Sequence, residues 1–401
     1  MNEIKFGKYK IQKDFLIFLI ISVLLGIVAA VDSTTLANRL FEDLNFTIMQ
    51  RSLLETPREL PGLLTVVIIG MLNGLSDIRI AAFANILGGI GLLFFGFVPS
   101  LFSFVLITLV IYSTGQHLYM PLASSISMNF AKDGNFGKRI GEIQGLSNLA
   151  IIVASALLYM VYRFLHVPYS AVFVIASFCM ISAGVLFLFM HQGHAIKSKQ
   201  RFVFKKEFKL YYGLSLVNGA RKQITLTFLP WLIIVTFGQP VTTITLLFFI
   251  VCVINVFFKP WLGGFIDKFG ERLTLRLEAV FMGLVCIGLA FAKSLFSFQV
   301  ALIIVSFCYI LDNMLISAGM ARATYIKKLS KENSEITRTL SMGQSIDHVI
   351  SMFIPLLAGY IWYINGATGY MYVFLGGIIL SISNYILASK IRIPTDENEK
   401  Y

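Results

Sequence analysis

The stretch FLIFLIISVLLGIVAAV, residues 15–31, decides the fold class, because it is 17 consecutive residues without a charged side chain. A helix that crosses a bilayer core about 30 Å thick needs about 20 mostly apolar residues, so we predict a membrane helix over residues 15–36. Lysines precede this run, as they would in a secretory signal peptide. Because many runs of similar length follow, we interpret it as a retained first helix.

The composition of the whole chain agrees with a membrane protein. Of its 401 residues, 57% are hydrophobic and only 13% are charged, and the mean hydropathy is +0.79. Soluble domains carry about a quarter charged residues, so a soluble enzyme is all but excluded. Apolar windows between charge clusters and Gly or Pro breaks predict an all-α membrane protein with twelve transmembrane helices, near residues 15–36, 52–75, 79–98, 101–130, 139–163, 168–191, 208–237, 241–261, 273–292, 297–327, 339–362 and 368–389.

The basic residues set the orientation. The formal net charge is +12 and the isoelectric point is near 9.5, yet most Lys and Arg lie in alternate loops, as the positive-inside rule requires of cytoplasmic loops. This predicts a multi-pass protein of the cell membrane with both termini in the cytoplasm. We interpret the basic cluster at residues 197–209 as a loop facing lipid headgroups, so no nucleic-acid partner is predicted. The basic residues assigned to outer segments are Arg39, Arg51, Arg58, Arg163 and Lys293.

Repeated segments indicate two similar halves. The turn at residues 73–79 corresponds in register to the turn at residues 263–272, and residues 144–148 correspond to residues 344–348. Such duplication is typical of secondary transporters, whose binding site lies between the repeats near the membrane midplane. We therefore predict a six-helix N-terminal half at residues 1–195, a cytoplasmic linker at residues 196–209 and a six-helix, pseudo-symmetric C-terminal half at residues 210–401.

The second turn reads GGFIDKFGER over residues 263–272. Together with the twelve-helix pattern it resembles the motif of the major facilitator superfamily (MFS), and the resemblance in topology covers essentially the whole chain. The first copy departs from that motif, since Asn73 replaces the leading glycine, Ile78 replaces the first basic residue and the later glycine is missing. The resemblance implies the MFS fold and transport of a solute.

The resemblance also implies a gating role for both turns. Their aspartates would meet a helix N-terminus or a basic partner and stabilise the outward-open state, while glycine lets two helices approach closely. The alternative is a short interhelical turn that needs glycine and aspartate for its geometry alone. The residues implied in gating are Asp77, Arg79, Gly263, Asp267, Lys268, Gly270 and Arg272.

Two adjacent cations lie inside the predicted seventh helix. Arg221 is about 16 Å into a core about 30 Å thick, near the midplane. A lone cation there costs roughly 2.5–3.5 kcal/mol, so a partner, a watery cavity or an anionic ligand is expected. Arg221 is the leading substrate-binding candidate, with a permanent ion pair as the alternative. Lys222 diverges from it by about 100° and could share its ligand only if the helix broke at Asn218-Gly219.

Buried carboxylates are candidates for proton coupling. Protonation of such an acid would free a paired cation for an anionic substrate, and deprotonation would return the cation to the acid. We favour Asp312 in helix 10, followed by Asp347 in helix 11, with His348 beside it able to titrate near neutral pH. The other acidic candidates are Asp32 in helix 1 and Glu55 and Glu59 in helix 2.

Helices 2, 4 and 10 hold further polar candidates. Arg51, Glu55, Arg58 and Glu59 lie on one stripe of helix 2, which favours a self-neutralising outer-gate network over a direct substrate role. In the MFS, helices 1, 4, 7 and 10 line the central cavity. By that resemblance the remaining substrate-binding candidates are Gln116, His117 and Asn313, although a lone buried histidine is more often an interhelical hydrogen bonder.

These observations favour a secondary active transporter that moves a small organic solute by alternating access, coupled to protons, with an anionic or zwitterionic substrate. The alternative within transport is a proton-driven exporter of amphipathic or cationic compounds. The Gly-Pro antiporter signature of drug exporters is absent, since residues 154–158 of helix 5 read ASALL. A membrane sensor or receptor is the alternative outside transport.

Catalysis and metal binding find no support in the sequence. HExxH, GxSxG and GxxxxGK[ST] motifs are absent, the five histidines are scattered, and each of the four cysteines sits singly in an apolar run. We therefore predict no enzyme activity, no cofactor and no metal. The expected protein is a monomer whose partners are the solute, protons and membrane lipid.

Overall fold

The computed structural model describes residues 3–6, 9–72, 75–130, 136–191, 205–330 and 333–392. A short antiparallel hairpin of β1 (Glu3–Phe6) and β2 (Tyr9–Gln12) precedes the helices. The α-helices are α1 (Lys13–Asn38), α2 (Ile48–Met71), α3 (Asp77–Phe97), α4 (Phe102–Asn129), α5 (Phe136–Met160), α6 (Tyr169–Leu188), α7 (Lys209–Trp231), α8 (Val241–Leu295), α9 (Phe298–Leu315), α10 (Gly319–Leu329), α11 (Asn333–Ile364) and α12 (Gly369–Ser389).

The helix boundaries differ from the prediction in two places. The predicted eighth and ninth helices form one run, α8, whose 55 residues are interrupted at Gly270 with φ 82° and ψ 167°. Only glycine adopts such a positive φ readily, so Gly270 marks the boundary between the two predicted helices. The predicted tenth helix is divided into α9 and α10 by a single 3₁₀ turn at Ile316–Ala318.

Nine helices within the described ranges are long and apolar enough to cross a membrane. α8 is counted once among them, although 55 residues at about 1.5 Å each exceed twice the thickness of a bilayer core. α2 and α7 are not among the nine, because charged and polar side chains along each of them lower its mean hydropathy. Length and composition therefore make the chain a multi-pass helical membrane protein.

The chain divides into two compact units. The first consists of residues 1–46, 57–199 and 240–252, and the second consists of residues 47–56, 200–239 and 253–401. The predicted linker at 196–209 lies mostly outside the described residues, as do Asn73 and Gly74 of the first motif.

In the first unit, α3 packs against α4 and α6, and α1 packs against α5 and α6. Phe18 of α1 belongs to the apolar core between these helices. Arg39, which the sequence assigns to an outer segment, is buried and donates hydrogen bonds to the carbonyls of Phe95 at 2.9 Å and Gly96 at 3.0 Å. Its guanidinium also lies over the rings of Phe95 and Phe173. These contacts satisfy a charge that the sequence alone places near solvent.

In the second unit, α7 packs against α11 and α12. Phe208, Tyr211 and Tyr212 at the start of α7 join Tyr325 of α10 in one apolar cluster. This packing holds the centre of α7, which carries the two predicted cations, beside α11.

Candidate functional site

Arg221 is buried in an ion pair with Asp312. The Nη1 atom of Arg221 lies 3.0 Å from Oδ1 of Asp312 on α9, and the two side chains are only 3% and 2% exposed. The same nitrogen lies 3.3 Å from the sulfur of Met282. The favoured substrate-binding cation and the favoured coupling acid therefore face each other, away from solvent.

Lys222 pairs with a different acid on a different helix. Its ammonium contacts Asp347 of α11, and this pair is more open, with side chains 25% and 18% exposed. The two cations diverge because successive side chains of a helix are about 100° apart. Adjacent residues of α7 thus hold one closed and one accessible ion pair.

The helix does not break at Asn218-Gly219, the condition under which Arg221 and Lys222 could share a ligand, because α7 runs unbroken from Lys209 to Trp231. Gly219 serves close packing instead. A Cβ atom added there would come within 2.5 Å of Oδ1 and 3.2 Å of Cα of Asp347. The missing side chain lets α11 bring Asp347 within reach of Lys222.

We expect Gly219→Ala to destabilise the protein by about 1–3 kcal/mol, because the new methyl group must displace Asp347 from its position beside Lys222. The matched control is Gly213→Ala on the same helix, where an added Cβ would meet Leu387 at an ordinary 3.6 Å. Since alanine favours a helix over glycine, the control should be neutral or stabilising. Thermal unfolding of the purified variants measures both effects, and equal unfolding midpoints would contradict the packing role.

A cavity of about 280 Å³ opens beside the accessible pair. Its wall combines two cations, one carboxylate, two hydroxyls and two amides with apolar and glycine positions. The lining residues are Tyr211, Ser215, Asn218 and Lys222 of α7, Ile316, Gly319, Arg322 and Ala323 of the α9–α10 segment, and Leu340, Gly343, Gln344 and Asp347 of α11. Lys222 and Asp347 therefore face a space that a small solute could occupy, whereas Arg221 and Asp312 do not line it.

Two further buried acids belong to this unit and were not among the predicted candidates. Glu278 of α8 accepts from Nη1 of Arg322 at 2.9 and 3.2 Å, and its side chain is 1% exposed. Glu271, also fully buried, lies 2.7 Å from the ammonium of Lys328. The seven-residue spacing of the two glutamates, which places them on one face of a helix, is a sequence signal that could have revealed them.

The outer-gate residues of α2 fall in both units. In the second unit Arg51 pairs with Glu55 one turn later, and Nε2 of Gln223 on α7 lies 3.5 Å from the other oxygen of Glu55. Thr56 donates to the carbonyl of Met352 on α11. This part of the predicted stripe is thus self-neutralising and anchored to α7 and α11.

The remaining polar candidates of the first unit cluster on α1, α2 and α4. Asp32 and Arg58 interact electrostatically with Tyr112, which is fully buried. His117 shares its Nδ1 with the hydroxyl and carbonyl of Ser113, at 3.0 and 2.9 Å. A carboxylate oxygen of Glu59 lies within 4.8 Å of a ring nitrogen of His117. Gln116 is half-buried on the same helix.

Three other candidates lie in the second unit. Asn313 donates to the carbonyl of Tyr309 one turn earlier, at 2.9 Å, which occupies one of its amide hydrogens. His348 is half-buried beside Asp347. Asp267 is exposed, and no ion pair joins it to another residue in the described part of the chain.

The gating glycines differ in what the structure requires of them. Gly270 needs its positive φ, whereas a Cβ at Gly263 would meet no described atom within 4 Å. The close helix approach expected at Gly263 is therefore not observed. Lys268 lies over the ring of Phe269, Arg272 is exposed, and Asp77 and Arg79 occupy the first turn of α3 behind the capping residue Ser76.

Comparison with known proteins identifies the class. Residues 15–323 match the Major Facilitator Superfamily. The chain belongs to this family of membrane transporters. No curated protein matches the sequence.

Solved structures share the fold at low sequence identity. The nucleoside transporter NupG is similar with a TM-score of 0.73 and 15% identity, over 94% of this chain and 98% of that one. A bacterial homologue of the human lysosomal transporter Spinster gives 0.66 and 14%, over 94% of each chain. A POT family transporter in complex with 5-aminolevulinic acid gives 0.68 and 12%, over 96% and 98%.

Proposed function

We propose that this MFS protein is a secondary active transporter of the cell membrane that moves a small anionic or zwitterionic organic solute together with protons. The observation that carries the proposal is the Lys222–Asp347 pair, which joins a cation and an acid on the wall of a cavity of solute size. An enzyme activity forms no part of the proposal, since the residues of the cavity are assigned to binding.

The pair supplies a coupling mechanism. With Asp347 ionised, Lys222 is neutralised and offers little to an anion. Once a proton neutralises Asp347, the ammonium of Lys222 is available to the negatively charged group of a solute. Release of the solute lets Lys222 return to Asp347 and expel the proton, so that solute and proton move together through alternating access.

We assign the other candidates to supporting roles. Arg221 and Asp312 hold α7 to α9 as a closed pair. The contacts of Glu55 and Thr56 hold the start of α2 to α7 and α11, as an outer gate requires. We propose that the two motifs, at residues 73–79 and 263–272, act in cytoplasmic gating. The gating residues are Asp77, Arg79, Asp267, Lys268 and Arg272, and Gly270 is the hinge of the second motif.

The proposed topology has twelve crossings in two six-helix halves. α8 provides two of them through its break at Gly270, and α2 and α7 cross in spite of their charges because those charges are paired. Both termini lie in the cytoplasm, and the transporter works as a monomer. Protons, the solute and membrane lipid are its proposed partners.

The alternative function, export of amphipathic cations, needs a carboxylate that faces the ligand. Glu55 is paired with Arg51, and Asp312 is paired with Arg221. These neutralised acids offer little attraction to a cation, which makes the exporter the weaker candidate.

Flux into proteoliposomes tests the proposal. The purified protein is reconstituted with an alkaline lumen, and uptake of a radiolabelled panel of organic anions, zwitterions, cations and neutral solutes is measured. We expect an anion or zwitterion to accumulate above its external concentration, and a protonophore to abolish that accumulation. Protein-free liposomes are the control. Gradient-driven movement of amphipathic cations alone would contradict the proposal and favour the exporter.

A further inference from the structure

The two cations of the cavity differ in how firmly they are held. Asp347, the partner of Lys222, lines the cavity itself and can exchange its proton there. Glu278, the partner of Arg322, is 1% exposed and does not line the cavity. A carboxylate buried this completely stays ionised only while its counter-ion remains, so Arg322 is a fixed cation and Lys222 an exchangeable one.

Arg322 can nevertheless reach a ligand. Its Nη1 atom holds both oxygens of Glu278, while Nη2 lies 3.6 Å from the place of a Cβ at Gly319, on the cavity wall. A guanidinium has several donors in a planar fork, so one side can hold Glu278 while the other binds an anion. Arg322 therefore links a buried carboxylate to the cavity.

The charges on the cavity wall select the charge of the ligand. When Asp347 is protonated, Lys222, Arg322 and Glu278 together leave one net positive charge. One carboxylate balances this charge, whereas a second would leave an unmatched negative charge. The cavity thus favours a monoanion over a dianion, a neutral compound or a cation.

The uncharged part of the wall selects a hydroxylated ligand. The hydroxyls of Tyr211 and Ser215 and the amides of Asn218 and Gln344 line the cavity. Hydroxyl and amide groups both donate and accept hydrogen bonds, so they complement the hydroxyls of a ligand. The volume of about 280 Å³ is near the lower end of the range of about 300–1,000 Å³ typical of ligand pockets.

We propose that the cavity binds a small polyhydroxylated monocarboxylate, with its carboxylate between Lys222 and Arg322 and its hydroxyls against the polar side chains that line the cavity. This inference rests on the proposed function and names the substrate class of its site. Arg322 is the specificity-determining residue, and it lies within the tenth helix predicted at residues 297–327.

Isothermal titration of the full-length protein with D-gluconate tests this inference. Three compounds of matched size differ from gluconate in charge, namely glucose, glucarate and glucosamine. We expect gluconate to bind at least about tenfold more tightly than each of them, because only its single charge is balanced. Absence of gluconate binding, or equal binding of glucose, would overturn the inference.

Variants locate the site. Because Arg322→Gln alone strands Glu278, the informative variant is Arg322→Gln with Glu278→Gln, which removes both charges and should unfold near the wild-type temperature. It should bind gluconate about tenfold more weakly or worse. Gly319→Val fills the cavity without changing a charge, and it should weaken gluconate binding to the same extent. If the double variant does not fold, Gly319→Val tests the inference alone. Undiminished binding in the folded variants would overturn the inference.

The matched control is Lys327→Gln, which removes an exposed cation of the same helix outside the cavity wall. Its gluconate binding should equal that of the wild type. A loss as large as that of the double variant would show that gluconate binding depends on the overall charge of the protein, and it would overturn the inference. Gluconate binding without flux would contradict only the proposed transport. Flux of another solute without gluconate binding would overturn only the substrate class.

Discussion

Arg221→Ala should lower the free energy of unfolding by about 3–5 kcal/mol, a large effect for a single substitution. The reason is the carboxylate it leaves behind. Asp312 is 2% exposed, and its ion-pair partner in the described part of the chain is Arg221 at 3.0 Å. Without that partner Asp312 must take up a proton or remain as an unpaired charge in a medium that solvates it poorly. Chemical or thermal unfolding in detergent measures the loss.

The double variant Arg221→Met with Asp312→Leu separates the charge effect from loss of packing. Replacing a whole buried ion pair by apolar residues of similar volume is often neutral or stabilising. We therefore expect the double variant to recover most of the stability that Arg221→Ala loses. A single variant as stable as the wild type would show that the pair is not closed, and Arg221 would then return as a ligand-binding candidate.

Asp347→Asn should abolish accumulation driven by a proton gradient while leaving solute exchange intact. Asparagine resembles the protonated acid in shape and charge, so Lys222 stays available to the solute. Because asparagine cannot bind or release a proton, solute movement is no longer coupled to protons. The matched control is Glu207→Gln, an exposed acid near the start of α7, which should accumulate solute as the wild type does. A variant that still accumulates solute would move the coupling proton to another carboxylate.

Much of the fold could be predicted from the sequence because the bilayer imposes a length. Each apolar run near 20 residues yields a helix, and the ends of α1, α3, α6 and α12 fall within a few residues of expectation. The sequence predicted separate helices at residues 241–261 and 273–292, but not that they form the single run α8, which only Gly270 interrupts. The burial of Arg39 was not predicted, because contacts with ring faces and backbone carbonyls leave no pattern along the chain.

The site was only partly predictable. The sequence shows how deep a residue lies in its helix, but it does not show how the helix is rotated about its own axis. The depth of Arg221, Lys222, Asp312 and Asp347 in their helices marked them as candidates. Which acid meets which cation depends on how α7, α9 and α11 are turned about their axes, and the sequence does not specify this. Proximity to the midplane favoured Arg221 as the ligand contact, yet the cavity lies beside Lys222.

Arg322 and Glu278 were missed for a related reason. Both lie within a few residues of the end of a predicted helix, 273–292 or 297–327, where a charged residue is ordinarily assumed to reach water. The structure instead joins them in a buried ion pair. A pair of glutamates seven residues apart, facing a basic helix, is the pattern to look for in other chains.

The most direct test of the central claim is a luminal pH measurement in proteoliposomes that hold a trapped pH-sensitive dye. Once a transported solute is identified, it is added outside vesicles without any imposed gradient. We expect the solute to carry protons inward and acidify the lumen with the wild-type protein, and we expect no pH change with Asp347→Asn. Solute entry with no acidification in the wild type, or equal acidification in both proteins, would contradict proton coupling at Asp347.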